Sequence, residues 1–248
     1  MAFNGSVVLL HAFPLNAEMW RPQVDAVPAP WRVITPDLPG FGNSSEAPVT
    51  AMSGMAEHVL RTMDSLGVER AVIGGLSMGG YVTLALYRLA PERFEAMILA
   101  DTRATADNEA QKEARRKMIA TVRAKGAPAV ADEMLPKLLG ATSQREHPEL
   151  STAVRGMIES TTPDAIAAAA EAMMNRPDST SLLASIAIPA LIVCGEEDVL
   201  TPPSDARGMN QQIRDSRLEL LPGAGHLSNL EAPSGFSGAL HDFLTTLR

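Results

Sequence analysis

The sequence has a single cysteine, Cys194, among 248 residues, so it cannot form an internal disulfide. This cysteine lies in an apolar run, residues 190–194, which favours a buried and unreactive thiol. Long apolar runs are also missing, since no segment approaches the ~18 residues that a membrane-spanning helix needs. Residues 1–5 lack the basic region and apolar core of a signal peptide. These absences predict a cytoplasmic protein.

The chain is also short of basic residues and of metal-binding motifs. It carries 21 Lys and Arg against 29 Asp and Glu, a formal net charge of −8. That balance argues against nucleic acid or an anionic membrane surface as a partner. The basic stretch from Lys112 to Lys117 includes Glu113 and Ala114 and is interpreted as a solvated helix face. The five histidines are scattered without metal-ligand spacing, so we expect no structural metal.

What the sequence does contain is an alternation of strand-like and helix-like segments. Short apolar, β-branched runs each end in turn residues, and most are continuously apolar, as strands buried on both faces should be. Helix-length patterns lie between them. The strand-like runs are residues 7–10, 31–34, 71–73, 96–100, 190–193 and 218–221. This alternation predicts an α/β fold with a doubly wound, mostly parallel sheet of about six strands.

The alternation breaks once, where residues 103–185 show only helical patterns separated by glycine and proline. Within them, Thr162-Pro163-Asp164 has the form of an N-cap followed by proline at the first helical position. This segment lies between two core strands and is therefore interpreted as an insertion. It is predicted to form a lid over the carboxyl ends of the strands, where ligands bind in open α/β sheets. The core would then comprise residues 1–102 and 186–248.

The most informative motif is Gly75-Leu76-Ser77-Met78-Gly79, which follows a strand and precedes a helix. This order is typical of a nucleophile elbow, a sharp turn that holds a serine hydroxyl out of the sheet. The backbone at such a serine is strained, and glycines two positions before and after it remove side chains that would clash. Ser77 is therefore the candidate nucleophile.

A nucleophilic serine needs a base, and His226 is the best candidate. It follows the last predicted strand in the loop Pro222-Gly223-Ala224-Gly225-His226, whose glycines let the backbone bend so that the imidazole projects over the sheet. The Ser…Asp…His chain order of the elbow motif agrees with this choice. Surface or half-buried packing positions are expected for His58 and His241, and His147 belongs to the predicted lid.

The base needs an acid that orients it, and Asp198 is preferred. It lies furthest into the turn after the fifth strand, behind Glu196 and Glu197, which we interpret as solvated loop charges. Asp101, which follows the fourth strand, is a rival for the same role.

The oxyanion of an acyl-transfer intermediate needs two donors. The backbone N–H of Met78, at the start of the helix, would supply one. The N–H of Phe13, in the loop after the first strand, would supply the other. His11 in the same loop is interpreted as a structural residue that bonds loop backbone.

Together these motifs resemble the α/β-hydrolase superfamily over essentially the whole chain, and within it the small esterase and lactonase branch that includes 3-oxoadipate enol-lactonases and pimeloyl-ester carboxylesterases. The matching segments are His11-Ala12-Phe13-Pro14-Leu15, Asp37-Leu38-Pro39-Gly40-Phe41-Gly42, Gly75–Gly80, Gly195-Glu196-Glu197-Asp198 and Gly225-His226. The resemblance implies a Ser-His-Asp mechanism with no cofactor, in which Ser77 forms an acyl-enzyme. Ala12 departs from the usual glycine and crowds the oxyanion loop. The short segment before the first strand implies that the two additional N-terminal strands common in the family are absent.

The expected function is hydrolysis of a small carboxylic ester by a monomer or homodimer. A serine nucleophile disfavours the relatives that use a carboxylate nucleophile. Lactone hydrolysis is an alternative, and perhydrolysis, the cofactor-free haloperoxidase activity, is a side activity of the same triad. A non-catalytic small-molecule receptor is a further alternative, because some relatives have that role.

Substrate choice is expected to lie in the lid. Methionines and leucines there are candidates for an acyl pocket, since methionine adapts to varied shapes, although packing between lid helices explains any one of them as well. These residues are Met118, Met134, Leu135, Leu138, Leu139, Met157, Met173 and Met174. Candidates for binding a carboxylated substrate are Arg103, Arg115, Arg116 and Arg123, but they form no compelling cluster. Met19 and Trp20 either border the pocket or pack in the core. The sequence therefore favours a small, fairly apolar ester.

Overall fold

A computed structural model of the chain describes residues 5–247. Its strands are β1 (Gly5–Leu10), β2 (Trp31–Ile34), β3 (Ala71–Leu76), β4 (Phe94–Ala100), β5 (Ala190–Gly195) and β6 (Ser216–Leu221). They form one sheet in the order β2-β1-β3-β4-β5-β6, and every neighbouring pair is parallel. The predicted sheet of about six parallel strands is confirmed.

Helices follow the strands along the chain. They are α1 (Arg21–Ala26), α2 (Met52–Ser65), α3 (Met78–Leu89), α4 (Glu109–Lys125), α5 (Ala127–Leu138), α6 (Ala141–Glu146), α7 (Pro148–Glu159), α8 (Pro163–Met174), α9 (Thr180–Leu183), α10 (Pro203–Gln212), α11 (Ser228–Glu231) and α12 (Pro233–Thr246). Short 3-10 turns occupy Ala17–Trp20 and Pro91–Arg93. In the described part of the chain, no helix combines the length and apolar character needed to cross a bilayer.

Burial follows position in the sheet. The inner strands β3 and β5 are wholly buried, whereas the edge strand β6 is buried only at its last residue. Cys194 in β5 is 1% exposed, as the apolar run around it predicts. Met19 and Trp20 are fully buried, and Trp20 packs against Phe236 with ring centroids 5.7 Å apart, so both belong to the core.

The helices α4 to α9 form an insertion between β4 and β5. Asn108 caps α4 by accepting the Gln111 N–H at 2.9 Å, and the Gln111 side chain accepts the Asn108 N–H at 2.9 Å. The predicted cap at Thr162 is present, since its hydroxyl accepts the Ala165 N–H. Within the insertion α4 packs on α8, and α5 packs on α7. The domain boundaries at residues 102/103 and 185/186 stay a prediction. The lack of a signal peptide also stays a prediction, because residues 1–4 lie outside the described range.

Candidate active site

The candidate residues converge because each follows a parallel strand, and parallel strands end at one edge of the sheet. Phe13 lies in the loop after β1, Ser77 directly after β3, Asp198 after β5 and His226 after β6. The structure therefore places the residues that the sequence singled out at a common edge.

Ser77 occupies a strained turn. Its φ is +56°, which L residues rarely adopt, and α3 begins at the next residue, Met78. A Cβ at Gly75 would overlap the backbone of Gly79, and a Cβ at Gly79 would overlap the carbonyl of Leu10. The two glycines of the motif therefore permit the turn, as the sequence predicts. Thr102, which was not singled out, holds the turn by donating its hydroxyl to the Ser77 carbonyl at 2.8 Å.

A chain of hydrogen bonds links the three side chains. Ser77 Oγ lies 2.8 Å from His226 Nε2, and His226 Nδ1 lies 2.8 Å from Asp198 Oδ2. Ser77, His226 and Asp198 are 9%, 2% and 3% exposed. Since the partners are buried and linked in series, a proton leaving Ser77 Oγ has one acceptor in place, His226 Nε2.

The Asp198 carboxylate also accepts hydrogen bonds from groups other than His226. The N–H groups of Leu200 and Thr201 donate to its Oδ1 at 2.8 and 3.0 Å, and the Thr201 hydroxyl donates to its Oδ2 at 2.7 Å. Burial of the carboxyl opposes ionisation, but attraction to His226 and these hydrogen bonds outweigh it, so the pKa of Asp198 is lowered. Sequence reasoning missed Thr201. Its position in Thr201-Pro202-Pro203, just before α10, was the only signal.

Asp101, the rival acid, has other partners. It accepts the Gly195 N–H at 2.8 Å and pairs with the Ser228 hydroxyl, and its φ is +41°. It is fully buried, and this burial, together with repulsion from Asp198, raises the pKa of Asp101 well above its usual range. In a neutral state this carboxyl ties the end of β4 to the end of β5 and to α11. Among the described residues, Asp101 therefore bonds Gly195 and Ser228, whereas Asp198 is the carboxylate hydrogen-bonded to His226.

His11 has the structural environment that we expected. Its Nε2 accepts the Leu38 N–H at 3.0 Å, and its Nδ1 lies 3.0 Å from the Ala12 carbonyl oxygen. Burial lowers the pKa of His11 to about 4, so the ring is neutral at pH 7. It joins the loop after β1 to the loop after β2. Ala12 is accommodated there fully buried, with its N–H donating to Met19 Sδ at 3.1 Å.

The insertion is fastened to the loop that carries His226. Glu231, 9% exposed, accepts the N–H of Gly140 at 2.7 Å and the N–H of Leu227 at 3.0 Å. Glu197 accepts the N–H and hydroxyl of Thr142. A Cβ on Gly225 would overlap the backbone N of Gly140. The glycine before the histidine therefore permits a close approach of the insertion, a reason that the sequence did not reveal.

Ser77 and His226 line a cavity of about 340 Å³. The core contributes Phe13, Tyr81, Leu200 and Thr201 to its wall, and the rest comes mainly from the insertion. The volume suits a small ligand. Of the predicted apolar candidates, three line the cavity, Met118, Met134 and Met173.

The charged part of the cavity wall differs from the prediction. Arg115 lines the cavity and is half-buried, so the interpretation of residues 112–117 as a solvated helix face is wrong for Arg115. Lys117 also lines the cavity but is exposed, in agreement with that interpretation. Arg103 also lines it, whereas Arg116 and Arg123 are not among the lining residues. Whether an arginine of α4 faces the cavity depends on how the helix packs on α8, which the sequence did not show.

Three buried groups, Asp101, Cys194 and Asp198, bring ligand atoms within 4.8 Å of one another. Their chemistry does not fit a metal ion. The Asp101 and Asp198 oxygens already accept hydrogen bonds, and burial, followed by repulsion from nearby carboxylates, raises the pKa of Cys194 far above the physiological range, so the thiol remains protonated.

Comparison with known proteins agrees with this geometry. The family model described as alpha/beta hydrolase fold matches residues 5–233. A curated relative, 3-oxoadipate enol-lactonase 1 of Acinetobacter baylyi, is 30% identical over 251 residues, covering 98% of this chain and 90% of the relative.

Two solved structures are similar over nearly their full lengths. A thermophilic esterase from Thermogutta terrifontis, with malate bound, has a TM-score of 0.96 and 39% identity, and the match covers 100% of this chain and 92% of that one. The enol-lactonase from Burkholderia xenovorans LB400 has a TM-score of 0.90 and 31% identity, covering 99% and 92%. The chain therefore belongs to the alpha/beta hydrolase fold family.

Proposed function

We propose that the protein is a serine hydrolase that cleaves a small carboxylic ester through an acyl-enzyme intermediate. The observation that carries the proposal is the buried chain from Ser77 Oγ through His226 to Asp198, with both links at 2.8 Å, opening into a cavity of about 340 Å³. Its similarity to an esterase at 39% identity supports the same reaction class.

In the proposed acylation step, His226 Nε2 takes the proton of Ser77 Oγ while the oxygen attacks the ester carbonyl. Asp198, ionised because its pKa is lowered, holds Nδ1–H toward itself and stabilises the imidazolium. The carbonyl oxygen gains negative charge and is stabilised by the N–H groups of Phe13 and Met78. The Met78 N–H belongs to the first turn of α3, where N–H groups have no acceptor within the helix.

The tetrahedral intermediate then collapses, and the C–O bond to the alcohol breaks. The proton on His226 Nε2 passes to the departing alkoxide, which leaves as an alcohol. Water next replaces the alcohol, gives a proton to Nε2 and attacks the acyl-enzyme carbonyl. The second collapse returns that proton to Ser77 Oγ and releases the carboxylic acid.

A lactone is the second candidate substrate, because two relatives at about the same identity, 30% and 31%, are named enol-lactonases. Ring opening uses the same groups, except that the alcohol remains attached to the acyl part. The cytoplasmic location stays a prediction, as does the monomer or homodimer.

The proposal is tested by labelling with a fluorophosphonate and by turnover of p-nitrophenyl butyrate. We expect stoichiometric labelling of Ser77 and measurable turnover in the unaltered protein. In the Ser77→Ala variant both should be lost while the circular dichroism spectrum and Tm are retained, because Ala removes only the hydroxyl. An inert Ser77 combined with tight binding of a small molecule would point to a receptor instead. Faster turnover of lactones than of every linear ester would favour the second candidate.

A further inference from the structure

Two carboxyl groups lie side by side at the carboxyl edge of the sheet, although the proposed reaction uses only one of them. Asp101 follows β4 and Asp198 follows β5, and an oxygen of each lies within 4.8 Å of the other. The two residues are 0% and 3% exposed. Because little water screens the repulsion between two charges at this distance, the folded protein favours one negative charge on the pair rather than two.

The hydrogen-bond donors around the two carboxyl groups differ. Among the described residues, Asp101 has two partners, a backbone N–H and the Ser228 hydroxyl. Asp198 accepts four hydrogen bonds, two from backbone N–H groups, one from His226 Nδ1 and one from the Thr201 hydroxyl. Each donor stabilises a carboxylate over a carboxylic acid. The donors therefore favour Asp198 as the charged member of the pair.

Thr201 supplies the donor that is neither backbone nor the proposed base. Its hydroxyl oxygen lies 2.7 Å from Asp198 Oδ2 and 3.2 Å from His226 Nδ1, and these two atoms are 2.8 Å apart. Since an ionised carboxylate can only accept, the hydroxyl proton points to Oδ2. Thr201 is 2% exposed, so its removal would leave the carboxylate short of a donor that solvent does not readily replace.

The other ionisable groups near the pair do not provide this donor. Glu231 on α11 repels a charge on Asp101. Cys194 on β5 stays protonated, because burial raises the pKa of its thiol. The guanidinium of Arg103 forms its ion pair with Asp205. The position of the negative charge therefore depends chiefly on the hydrogen bonds within the pair's own surroundings.

We propose that Thr201 is a positioning residue that keeps the single negative charge of the pair on Asp198, where it faces His226, rather than on Asp101, where it does not. This inference rests on the proposed function of Ser77, His226 and Asp198. If the charge moved to Asp101, Asp198 would hold a proton, and a neutral Asp198 would stabilise the imidazolium formed during acylation much less than a carboxylate does. Thr201 thus acts through Asp198 and not through the substrate.

The first part of the test removes the Thr201 hydroxyl. Thr201→Val has the same shape and keeps the N–H that donates to Asp198 Oδ1. With p-nitrophenyl butyrate at pH 7 we expect kcat to fall by about 10-fold and KM to stay within about threefold, because a hydrogen bond to a charged group is lost. The acid limb of the kcat–pH profile should move up by about one pH unit, since the charge returns to Asp198 only as the second carboxyl ionises.

The second part removes the competing carboxyl from the same variant. In Thr201→Val/Asp101→Asn an amide at position 101 cannot take the charge, so Asp198 is the only carboxyl left in the pair. We expect kcat and the acid limb to return to those of Asp101→Asn alone. A substitution at Asp101 would not repair a loss of packing or of a substrate contact at Thr201. Thr201→Ser keeps the hydroxyl and should stay within about threefold of the unaltered protein in kcat.

The matched control is Ser228→Ala, which removes the hydroxyl beside the other carboxyl. That hydroxyl stabilises a charge on Asp101 rather than on Asp198, so its loss should leave the acid limb in place. An acid limb that moves equally in Ser228→Ala and Thr201→Val would contradict a specific role for Thr201.

A readout that does not need turnover is the Nδ1 proton of His226 in the proton NMR spectrum. This proton is strongly deshielded when it hydrogen-bonds a carboxylate, because such charge-assisted bonds are short. We expect its downfield resonance in the unaltered protein, an upfield shift in Thr201→Val and a return in Thr201→Val/Asp101→Asn.

The outcomes separate this inference from the proposal on which it rests. If Thr201→Val behaves as the unaltered protein does, or if the double variant is no better than Thr201→Val, the inference is wrong and the ester hydrolase stands. If no ester or lactone is turned over, the proposed function is wrong, and the NMR pattern alone decides whether Thr201 directs the charge to Asp198.

Discussion

The carboxyl edge of the sheet and the helical insertion contribute to the same cavity in opposite ways. At the sheet edge, Ser77, Asp198 and His226 are almost completely buried and each is held by hydrogen bonds from backbone or neighbouring side chains. On the insertion, Lys117 and Lys137 are exposed, and Arg115 is anchored by one hydrogen bond. Under the proposed function, the reacting groups lie at the sheet edge, and reacting groups need fixed geometry. The proposed reaction therefore depends on the sheet edge, whereas the insertion supplies much of the cavity wall.

The largest effect should come from the sheet edge. If His226 is the base as proposed, Asp198→Asn should lower kcat by about 10⁴-fold, because an amide favours the wrong tautomer of the His226 imidazole. Binding should change little, so KM should stay within a few-fold. Steady-state kinetics with p-nitrophenyl butyrate measure both. The control is Asp101→Asn, which should remain active, and the reverse pattern would show that Asp101 is the acid.

A smaller effect is expected where the two regions are joined. Glu231→Ala leaves the buried N–H groups of Gly140 and Leu227 without their carboxylate, and we expect a loss of about 2–5 kcal/mol in unfolding free energy. Since Leu227 follows His226, kcat should fall as well. Urea unfolding and kinetics of the same preparation measure the two effects.

Glu197→Ala serves as the comparison, because it removes contacts to Thr142 in the same part of the insertion. Glu197 is half-buried, so water replaces its hydrogen bonds, and the stability loss should be smaller. An equal loss in both variants would show that the carboxylate at Glu231 has no special role in joining the insertion to the histidine loop.

The smallest effect concerns Asp101 and depends on pH. Because the pKa of its carboxyl is raised in the folded protein, folding favours the protonated form. That stabilisation is complete below the unfolded pKa of about 4 and is lost as the pH rises toward the folded pKa. An amide mimics the protonated carboxyl, with its oxygen toward Gly195 N–H and its NH₂ toward Ser228.

The Tm of Asp101→Asn relative to the unaltered protein should therefore increase between about pH 4 and pH 7, by about 2–4 °C for each kcal/mol gained. Thermal melts of both proteins across that range measure the difference. A relative Tm that falls as the pH rises would mean that Asp101 is ionised in the folded state.

Much of the fold and of the candidate site was accessible from local patterns. The six strands could be located because buried strands of a parallel sheet are continuously apolar. The elbow at Ser77 could be found because glycines at fixed offsets are needed for the turn. His226 and Asp198 followed from chain order. These signals lie within a few residues of the group concerned.

The missed residues depend on contacts between distant segments. Glu231 meets Gly140 across 91 positions, and Arg176 meets Asp107 across 69. The packing of the helices determines which residues form these two pairs. Arg115 and Arg116 are adjacent and chemically identical, yet only Arg115 lines the cavity. The sequence did not show which of these arginines lines the cavity, so the expectation of a fairly apolar ester was made without that information.

The amino-acid sequence by itself determined the sheet, the elbow and the order of the candidate nucleophile, acid and base, because hydrophobic periodicity and turn chemistry are local properties of the chain. Tertiary structure alone decided which carboxylate meets His226, how the insertion is tied to the His226 loop and which arginine of α4 lines the cavity. The physical reason is that hydrogen bonds and charge interactions act over a few ångströms, and only packing brings residues so far apart in sequence to that distance.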